Sequence, residues 1–135
     1  MPKSLNLNFE LKNCEEKYWE FVRTLRNDKR VQTGFISSVE ITEEMQKKYM
    51  SLNSKFYRIA IVNGDPAGYV GVIDDDIRIC THPKFQGLGV GKFLIQNCIN
   101  IWPSSFAKVK LDNEASLKLF ESCGFVKKFY ILERE

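Results

Sequence analysis

A glycine-rich stretch lies in the second half of this chain of 135 residues: residues 81–91 read THPKFQGLGVG. A short apolar strand, Ile77 to Thr81, is predicted before it and ends at Pro83. After it, apolar residues recur at helical spacing and predict an amphipathic helix over Gly89 to Ile101. Three glycines within five residues allow the backbone to approach a ligand closely, and a helix N-terminus attracts anions. The stretch therefore predicts an anion-binding loop between a strand and a helix.

Two other phosphate-binding loops do not fit this spacing. A dinucleotide-binding fingerprint has the spacing G-x-G-x-x-G and normally opens its domain, whereas the glycines here are spaced G-x-G-x-G. A Walker loop has four residues between its glycines and then Gly-Lys-Ser/Thr, but Lys92 is followed by Phe93. Neither type of nucleotide loop is predicted.

The segments around the loop predict a mixed α/β domain. Alternating or β-branched runs predict strands at Ser4–Leu11, Phe56–Val62, Ala67–Ile73, Ile77–Thr81, Phe106–Leu111 and Phe125–Leu132. The turn signals at residues 63–66 and 74–76 predict that the second to fourth of these strands are joined as hairpins.

Three further features complete the predicted order of elements. Asn13 is predicted to cap a helix whose apolar face holds Tyr18, Phe21, Val22 and Leu25. Thr42 is predicted to cap another helix, with Met45, Tyr49 and Leu52 on one side. A last helix, Asn113 to Cys123, is closed by Gly124. The loop Asp28 to Ile41 is long, which makes it the first candidate for substrate contact.

Composition and charge indicate one soluble globular domain over residues 1–135. Hydrophobic residues make up 44% and charged residues 27% of the chain. A net charge of +3 is too mild to predict nucleic-acid binding. We expect no membrane partner and a cytoplasmic location, because the sequence has neither a signal-peptide pattern nor a membrane-spanning apolar run. Four widely spaced cysteines and one histidine predict no metal site.

The glycine loop and a second block resemble the GNAT superfamily of N-acetyltransferases. Residues 81–91 are similar to its acyl-CoA signature, Q/R-x-x-G-x-G/A after a strand. Residues 113–125 match its following N-x-x-S-x-x-L-[YF]-x-x-x-G-F block, and the resemblance as a whole covers residues 67–125. It implies acetyl-CoA as co-substrate and a GNAT-like fold. That fold has a central, mostly antiparallel sheet, splayed at the acyl-CoA site and flanked by about four helices.

The resemblance also implies which residues bind the cofactor. The strand before the loop would meet the pantetheine arm, the loop would wrap the pyrophosphate, and the last helix would lie along the pantetheine. The implied cofactor-binding residues are Ile79, Cys80, Thr81, Gln86, Gly87, Leu88, Gly89, Val90, Gly91, Lys92, Asn113, Ser116 and Phe120.

The catalytic residues are less determined. An amine with a lysine-like pKa must lose a proton before it attacks, at a cost of about 4 to 5 kcal/mol at pH 7. Position alone makes Asp74, Asp75, Asp76 and Glu40 candidates for receiving it. Phe120 stands where the family often has an acidic tyrosine, so water or Tyr130 is the candidate proton donor. His82 is predicted to brace the loop.

Direct attack in a ternary complex is the predicted route, because Cys80 and Cys123 have no neighbouring base in the sequence. The first fifty residues are weakly similar to GNAT enzymes that acetylate amino groups on nucleotide-linked sugars, through Leu25, Arg26, Asn27 and Asp28 among others. This predicts a small-molecule amine bound by Arg26, Asn27 and Phe35, with Arg23, Arg26 and Arg30 available to phosphates.

A protein α-amine or lysine is the alternative acceptor, and a CoA-binding module with little activity is the alternative class. Either a monomer or a homodimer is expected.

Overall fold

One antiparallel sheet lies at the centre of the structure, a computed structural model that describes residues 6–37 and 39–135. Its strands are β1 (Phe9–Asn13), β2 (Tyr57–Val62), β3 (Asp65–Ile73) and β4 (Asp76–Thr81), in the order β1-β2-β3-β4. The helices are α1 (Trp19–Arg26), α2 (Lys29–Gln32), α3 (Glu43–Asn53), α4 (Val90–Ile101) and α5 (Glu114–Ser122). Short 3-10 helices lie at Glu16–Tyr18, Ser54–Phe56 and Pro83–Phe85.

The two predicted hairpins are confirmed. Val62 pairs with Asp65 across a turn in which Asn63 and Gly64 have φ values of 49° and 87°. Asp74 and Asp75, with φ values of 53° and 64°, make the turn between β3 and β4. Positive φ at both central residues gives a turn whose twist matches that of the strands. The two turns thereby make β2, β3 and β4 consecutive antiparallel neighbours, with one register shift between Ala60 and Ile61 of β2.

Helices cover both faces of the sheet. On one face, α1 and α3 enclose a core that includes Val22, Leu25, Met50, Tyr57 and Ile59. On the other face, α4 and α5 pack over a second core that includes Val70, Leu94, Ile95, Cys98 and Phe120. The mixed α/β fold class predicted from the sequence is confirmed, with five α-helices in the described residues where about four were expected.

The outer edge of β4 is paired at one point only. Asp76 forms a single parallel bridge with Phe106, in which the Ile77 amide donates to the Phe106 carbonyl at 2.9 Å. The predicted strand Phe106–Leu111 is otherwise absent, because the chain leaves β4 after Phe106 and its alternating side chains have no ladder to join. The result is an open wedge beside residues 78–81, in agreement with the predicted splayed sheet.

The predicted final strand, Phe125–Leu132, is also not formed. Within the described chain, residues 126–135 have no regular structure and make no backbone hydrogen bond to another segment. Phe129 and Leu132 are 89% and 92% exposed. An apolar, alternating pattern becomes a strand only where a neighbour pairs with its backbone.

Three predictions near the N-terminus need correction. The first strand was predicted at Ser4–Leu11 but runs from Phe9 to Asn13, and the predicted positions Ser4 and Leu5 lie outside the described residues. Asn13 therefore ends a strand and does not cap a helix. A 3-10 turn follows it, and α1 begins at Trp19 without a side-chain cap. Within the loop Asp28–Ile41, the Asp28 side chain accepts from the Arg30 amide and starts α2.

The buried face of α3 also differs from the prediction. Thr42 caps this helix as expected, with its hydroxyl accepting from the Met45 amide at 3.1 Å. The core, however, receives Met50 and the polar Gln46, while Met45 and Leu52 are exposed. Gln46 is buried because its amide donates to the Trp19 carbonyl of α1 at 2.7 Å. The hydrogen bond from Gln46 to α1 thus accompanies a buried face of α3 that is shifted by one residue from the predicted face.

Candidate active site

A cavity of about 1000 Å³ lies where the open edge of β4 meets the N-termini of α4 and α5. Its opposite wall comes from the end of α1, from α2 and from residues 33–37. The wedge between β4 and the diverging chain after Phe106 is thus continuous with this cavity. A ligand in it would touch the glycine loop, the strand and both helices at once.

The glycine loop provides unpaired amides at the start of α4. Gly87 and Gly89 have φ values of 81° and 91°, and a Cβ at Gly87 would meet nothing within 4 Å. The first regular bond at the start of the helix is donated by the Phe93 amide to the Gly89 carbonyl at 3.0 Å. Among the described residues, the six amides of residues 87–92 have no acceptor of normal geometry. Consecutive free amides at a helix N-terminus form an anion-binding site.

The open edge of β4 presents two more amides. The Ile77 amide points outward to Phe106, whereas the His82 amide points inward to Ala67 of β3. Because successive amides of a strand point to opposite edges, Ile79 and Thr81 direct theirs outward, as Ile77 does. Both residues line the cavity. Their amides can bind an extended ligand or a carbonyl oxygen laid beside the strand.

The start of α5 forms the third side of the cavity. Asn113 caps this helix by accepting from the Ser116 amide at 3.1 Å, and it also donates to the Gly34 carbonyl at 3.3 Å. Ser116 and the 4% exposed Phe120 line the cavity behind it. Asn113 therefore joins the cofactor side to the loop at residues 33–37. A helix cap is thus also a contact between the two sides of the cavity.

A model of the acetyltransferase (GNAT) family matches residues 19–125, which is most of the chain. The chain belongs to the GNAT acetyltransferase family. The match contains both sequence blocks described above and all of the cavity-lining elements from α1 to α5. No curated protein sequence matches the chain at a significant level.

Solved structures of other GNAT acetyltransferases share the fold. A spermidine N-acetyltransferase from Vibrio cholerae, in complex with CoA and spermine, is 18% identical with a TM-score of 0.78, over 93% of this chain and 85% of that one. An N-acetyltransferase from Staphylococcus aureus Mu50 is 18% identical with a TM-score of 0.75, over 87% and 83%. The ribosomal-protein-S18-alanine N-acetyltransferase from Escherichia coli is 19% identical with a TM-score of 0.65, over 90% and 80%.

The residues of this GNAT domain fit an acyl-CoA. Free amides at the α4 N-terminus suit a pyrophosphate, and the open strand edge suits an amide-containing arm. All of the predicted cofactor-binding residues except Leu88 line the cavity. Gly91 contributes by close packing, since a Cβ there would lie 2.7 Å from Leu119 of α5. The absence of a side chain at Gly91 therefore lets the first turn of α4 pack closely against Leu119 of α5.

The predicted substrate and catalytic residues divide between the cavity and the surface. Arg26, Phe35 and Asp76 line the cavity, whereas Asn27, Asp75, Glu40 and Tyr130 do not. Asn27 instead forms two 2.8 Å hydrogen bonds with the backbone of Ile41 and so closes the loop between them. Tyr130 is 91% exposed. The catalytic roles suggested for Asp76 and the others remain predictions.

The buried thiols are not poised as nucleophiles. Burial raises the pKa of Cys80, which lines the cavity, to about 12, and that of Cys14 to about 11. Both are therefore protonated near neutral pH. His82 braces the loop as predicted: its Nδ1 accepts from the Lys84 amide at 3.0 Å, and its ring stacks on Phe21. Among the described residues, no cluster of three or more potential ligands could hold a metal ion.

Outside the loop Asp28–Ile41, sequence reasoning missed four polar or charged residues that line the cavity: Tyr57, Tyr69, Arg78 and Lys108. Tyr57 and Tyr69 lie in predicted apolar strands, where the sequence does not distinguish them from core residues. Only the sheet register places them at the cavity floor. Arg78 was detectable as a charged residue inside an apolar strand, a pattern that often marks a functional position.

None of the described helices is long and apolar enough to cross a membrane.

Proposed function

We propose that this protein transfers an acetyl group from acetyl-CoA to a primary amine of a small molecule, by direct attack in a ternary complex. One observation carries the proposal: six consecutive amides without protein acceptors, at residues 87–92, lie beside the open edge of β4. The first feature suits a pyrophosphate and the second an acylated pantetheine arm. Bound acetyl-CoA supplies an activated acetyl thioester.

The chain contributes mainly positioning and polarisation. The loop and α5 hold the cofactor, so that its arm lies along β4. The outward amides of Ile79 and Thr81 are placed to bind the thioester oxygen as negative charge develops on it, a role worth about 2.7 to 4 kcal/mol per donor in other acyl-transfer sites. Orienting the amine in the same cavity removes most of the entropic barrier to attack.

The proton of the amine has one acidic candidate in the cavity. Asp76 is the only carboxylate among the described lining residues, and its side chain is 19% exposed. Its Oδ2 already lies 3.5 Å from Arg78 Nε and 3.9 Å from Lys108 Nζ, and these cations compete with an incoming amine. We propose that water carries the proton from the amine to the Asp76 carboxylate. Phe120 provides no hydroxyl for the leaving thiolate, so that proton also comes from water.

Two classes of acceptor amine have support: a small molecule and a protein. The N-terminal similarity favours an amino sugar linked to a nucleotide, whereas the solved relatives include enzymes named for spermidine and for a ribosomal-protein alanine. The small-molecule class is favoured because residues 33–37 form a wall on the acceptor side of the cavity, and Asn113 and Lys110 hold this wall through the Gly34 and Thr33 carbonyls. A cytoplasmic location and a monomeric or homodimeric state remain predictions.

An amine panel tests the proposal. Purified protein is incubated with acetyl-CoA and amino sugars, their nucleotide-linked forms, amino acids, polyamines and peptides with free N-termini. Release of the CoA thiol and the mass of the product are followed together. We expect acetylation of at least one small amine. Tight acetyl-CoA binding without any product would instead support a CoA-binding module.

A further inference from the structure

The charged side chains that line the cavity are mostly basic. The described residues that line the whole cavity include five basic side chains and one acidic side chain. Of these, Lys92 belongs to the glycine loop, whereas the other four cations lie on α1, α2, β4 and the segment after Phe106. They are Arg26, Arg30, Arg78 and Lys108. Such a surface favours an anion and repels a polycation.

Most of these cations are already paired, but Arg26 is not. Arg30 binds both carboxylate oxygens of Asp28, at 3.0 and 2.7 Å, and Arg78 and Lys108 share Asp76. The Arg26 side chain forms no ion pair or hydrogen bond with another described residue; only its carbonyl is used, by Gln32. Arg26 is half-buried and has its charge available to a ligand.

A second donor lies near Arg26 on the cavity floor. Tyr69 is 3% exposed, and burial raises the pKa of its phenol well above the usual range while the nearby Arg26 opposes that rise. Tyr57 bonds to Tyr49 at 2.8 Å, but the Tyr69 hydroxyl has no partner among the described residues. Its oxygen is also not among the fully enclosed polar atoms, so it opens into the cavity.

The sheet register explains how these groups meet. Tyr69 pairs with Cys80, and Arg78 pairs with Gly71, so these four positions lie on the face of the sheet below α1, where Tyr69, Cys80 and Arg78 place their side chains. Gly71 leaves room for Tyr57, whose ring would lie 2.4 Å from a Cβ there. Arg26, in the last turn of α1, lines the same cavity as these strand residues.

We propose that Arg26 and Tyr69 form an anion subsite that selects acceptor amines bearing a phosphate or carboxylate group. This inference rests on the proposed function, since it describes the acceptor side of the same cavity. Arg26 supplies a planar guanidinium that can form two hydrogen bonds with either anion, and the Tyr69 hydroxyl donates a third. Polyamines are disfavoured because the subsite has no unpaired carboxylate.

Matched acceptor pairs test the subsite in the full chain. One pair is an amino sugar with and without a phosphate group, another is an amino acid and its methyl ester, and spermidine is the cationic probe. The anionic member of a pair should have the higher kcat/KM. Arg26→Gln should lower that value roughly 10- to 100-fold, mainly through KM, with little effect on the neutral member. Arg26→Lys should restore part of the loss, and Tyr69→Phe should give a smaller one.

Lys29→Gln is the control for the loss of one positive charge, because Lys29 is exposed on α2 and does not line the cavity. Equal losses for both members of a pair in Arg26→Gln, or a preference for spermidine, would overturn the subsite. Calorimetric titration of the phosphorylated amino sugar into CoA-saturated protein reads the subsite without turnover. Binding there that is insensitive to Arg26→Gln also contradicts it. Failure of acetyl-CoA to bind would contradict the proposed function instead.

Discussion

Cys80 lies on the cavity wall, where a nucleophile would be expected in a mechanism with an acetyl-enzyme intermediate. Burial raises the pKa of its thiol to about 12, so the thiol is protonated and the reactive thiolate nearly absent near neutral pH. The neighbouring Asp28 carboxylate adds to this rise. The environment of Cys80 therefore favours direct attack by the amine on the thioester.

Cys80→Ala is predicted to keep kcat within about threefold of the wild type, because the thiol takes no part in bond formation. Mass spectrometry of protein incubated with acetyl-CoA alone should detect no acetylated cysteine. Iodoacetamide at pH 8 should modify Cys80 slowly compared with a free thiol in solution. A thousandfold loss of activity in a folded Cys80→Ala protein would contradict this account.

The buried face of α3 depends on a contact with another helix. Met50 is 0% exposed in the core, whereas Leu52, two residues later, is 69% exposed. Gln46 is buried beside Met50 because the Trp19 carbonyl accepts its amide hydrogen. Apolar content alone would have placed Leu52 in the core.

Met50→Ala is predicted to lower the free energy of unfolding by about 2 to 5 kcal/mol, since it opens a cavity in a packed core. Leu52→Ala is the matched control on the same helix and should change stability by less than about 0.5 kcal/mol. Urea unfolding followed by circular dichroism measures both. A larger effect at Leu52 than at Met50 would support the helix face predicted from the sequence.

Local sequence signals explain which elements could be predicted. Asn63-Gly64, Thr42 and Gly124 act through nearby backbone groups, so the hairpins, the α3 cap and the end of α5 were predictable. The predictions of strands at Phe106–Leu111 and Phe125–Leu132 were wrong. A segment forms a strand only where another strand lies beside it to pair with its backbone, and the local sequence does not show where that strand lies. Likewise, the glycine loop predicted a cofactor side from the sequence alone, whereas Tyr69 joins the proposed acceptor side only through its register with Cys80.

The proposed sites for acetyl-CoA and for the amine lie in one cavity. The cofactor loop, the open edge of β4 and the end of α1 all line it. Asn113 connects the two sides, since it caps α5 and also donates to the Gly34 carbonyl. This arrangement allows acetyl-CoA and the amine to be bound together before either reacts.

Initial velocities are therefore predicted to give intersecting lines in double-reciprocal plots when acetyl-CoA and amine concentrations are varied together. A ternary complex requires this pattern, whereas an acetyl-enzyme route gives parallel lines. Parallel lines, together with exchange of label between acetyl-CoA and CoA in the absence of amine, would refute the ternary complex.

The most direct test of the central claim is calorimetric titration of acetyl-CoA into wild-type protein, Gly89→Glu and Gly64→Glu. Gly89 and Gly64 have φ values of 91° and 87°, so both substitutions strain the backbone similarly, but Gly64 lies in the β2–β3 turn and does not line the cavity. Glutamate at position 89 also places a negative charge among the free amides. We predict binding by the wild type and Gly64→Glu, and none by a folded Gly89→Glu. Equal binding by all three proteins, or by none, would contradict a cofactor site at this loop.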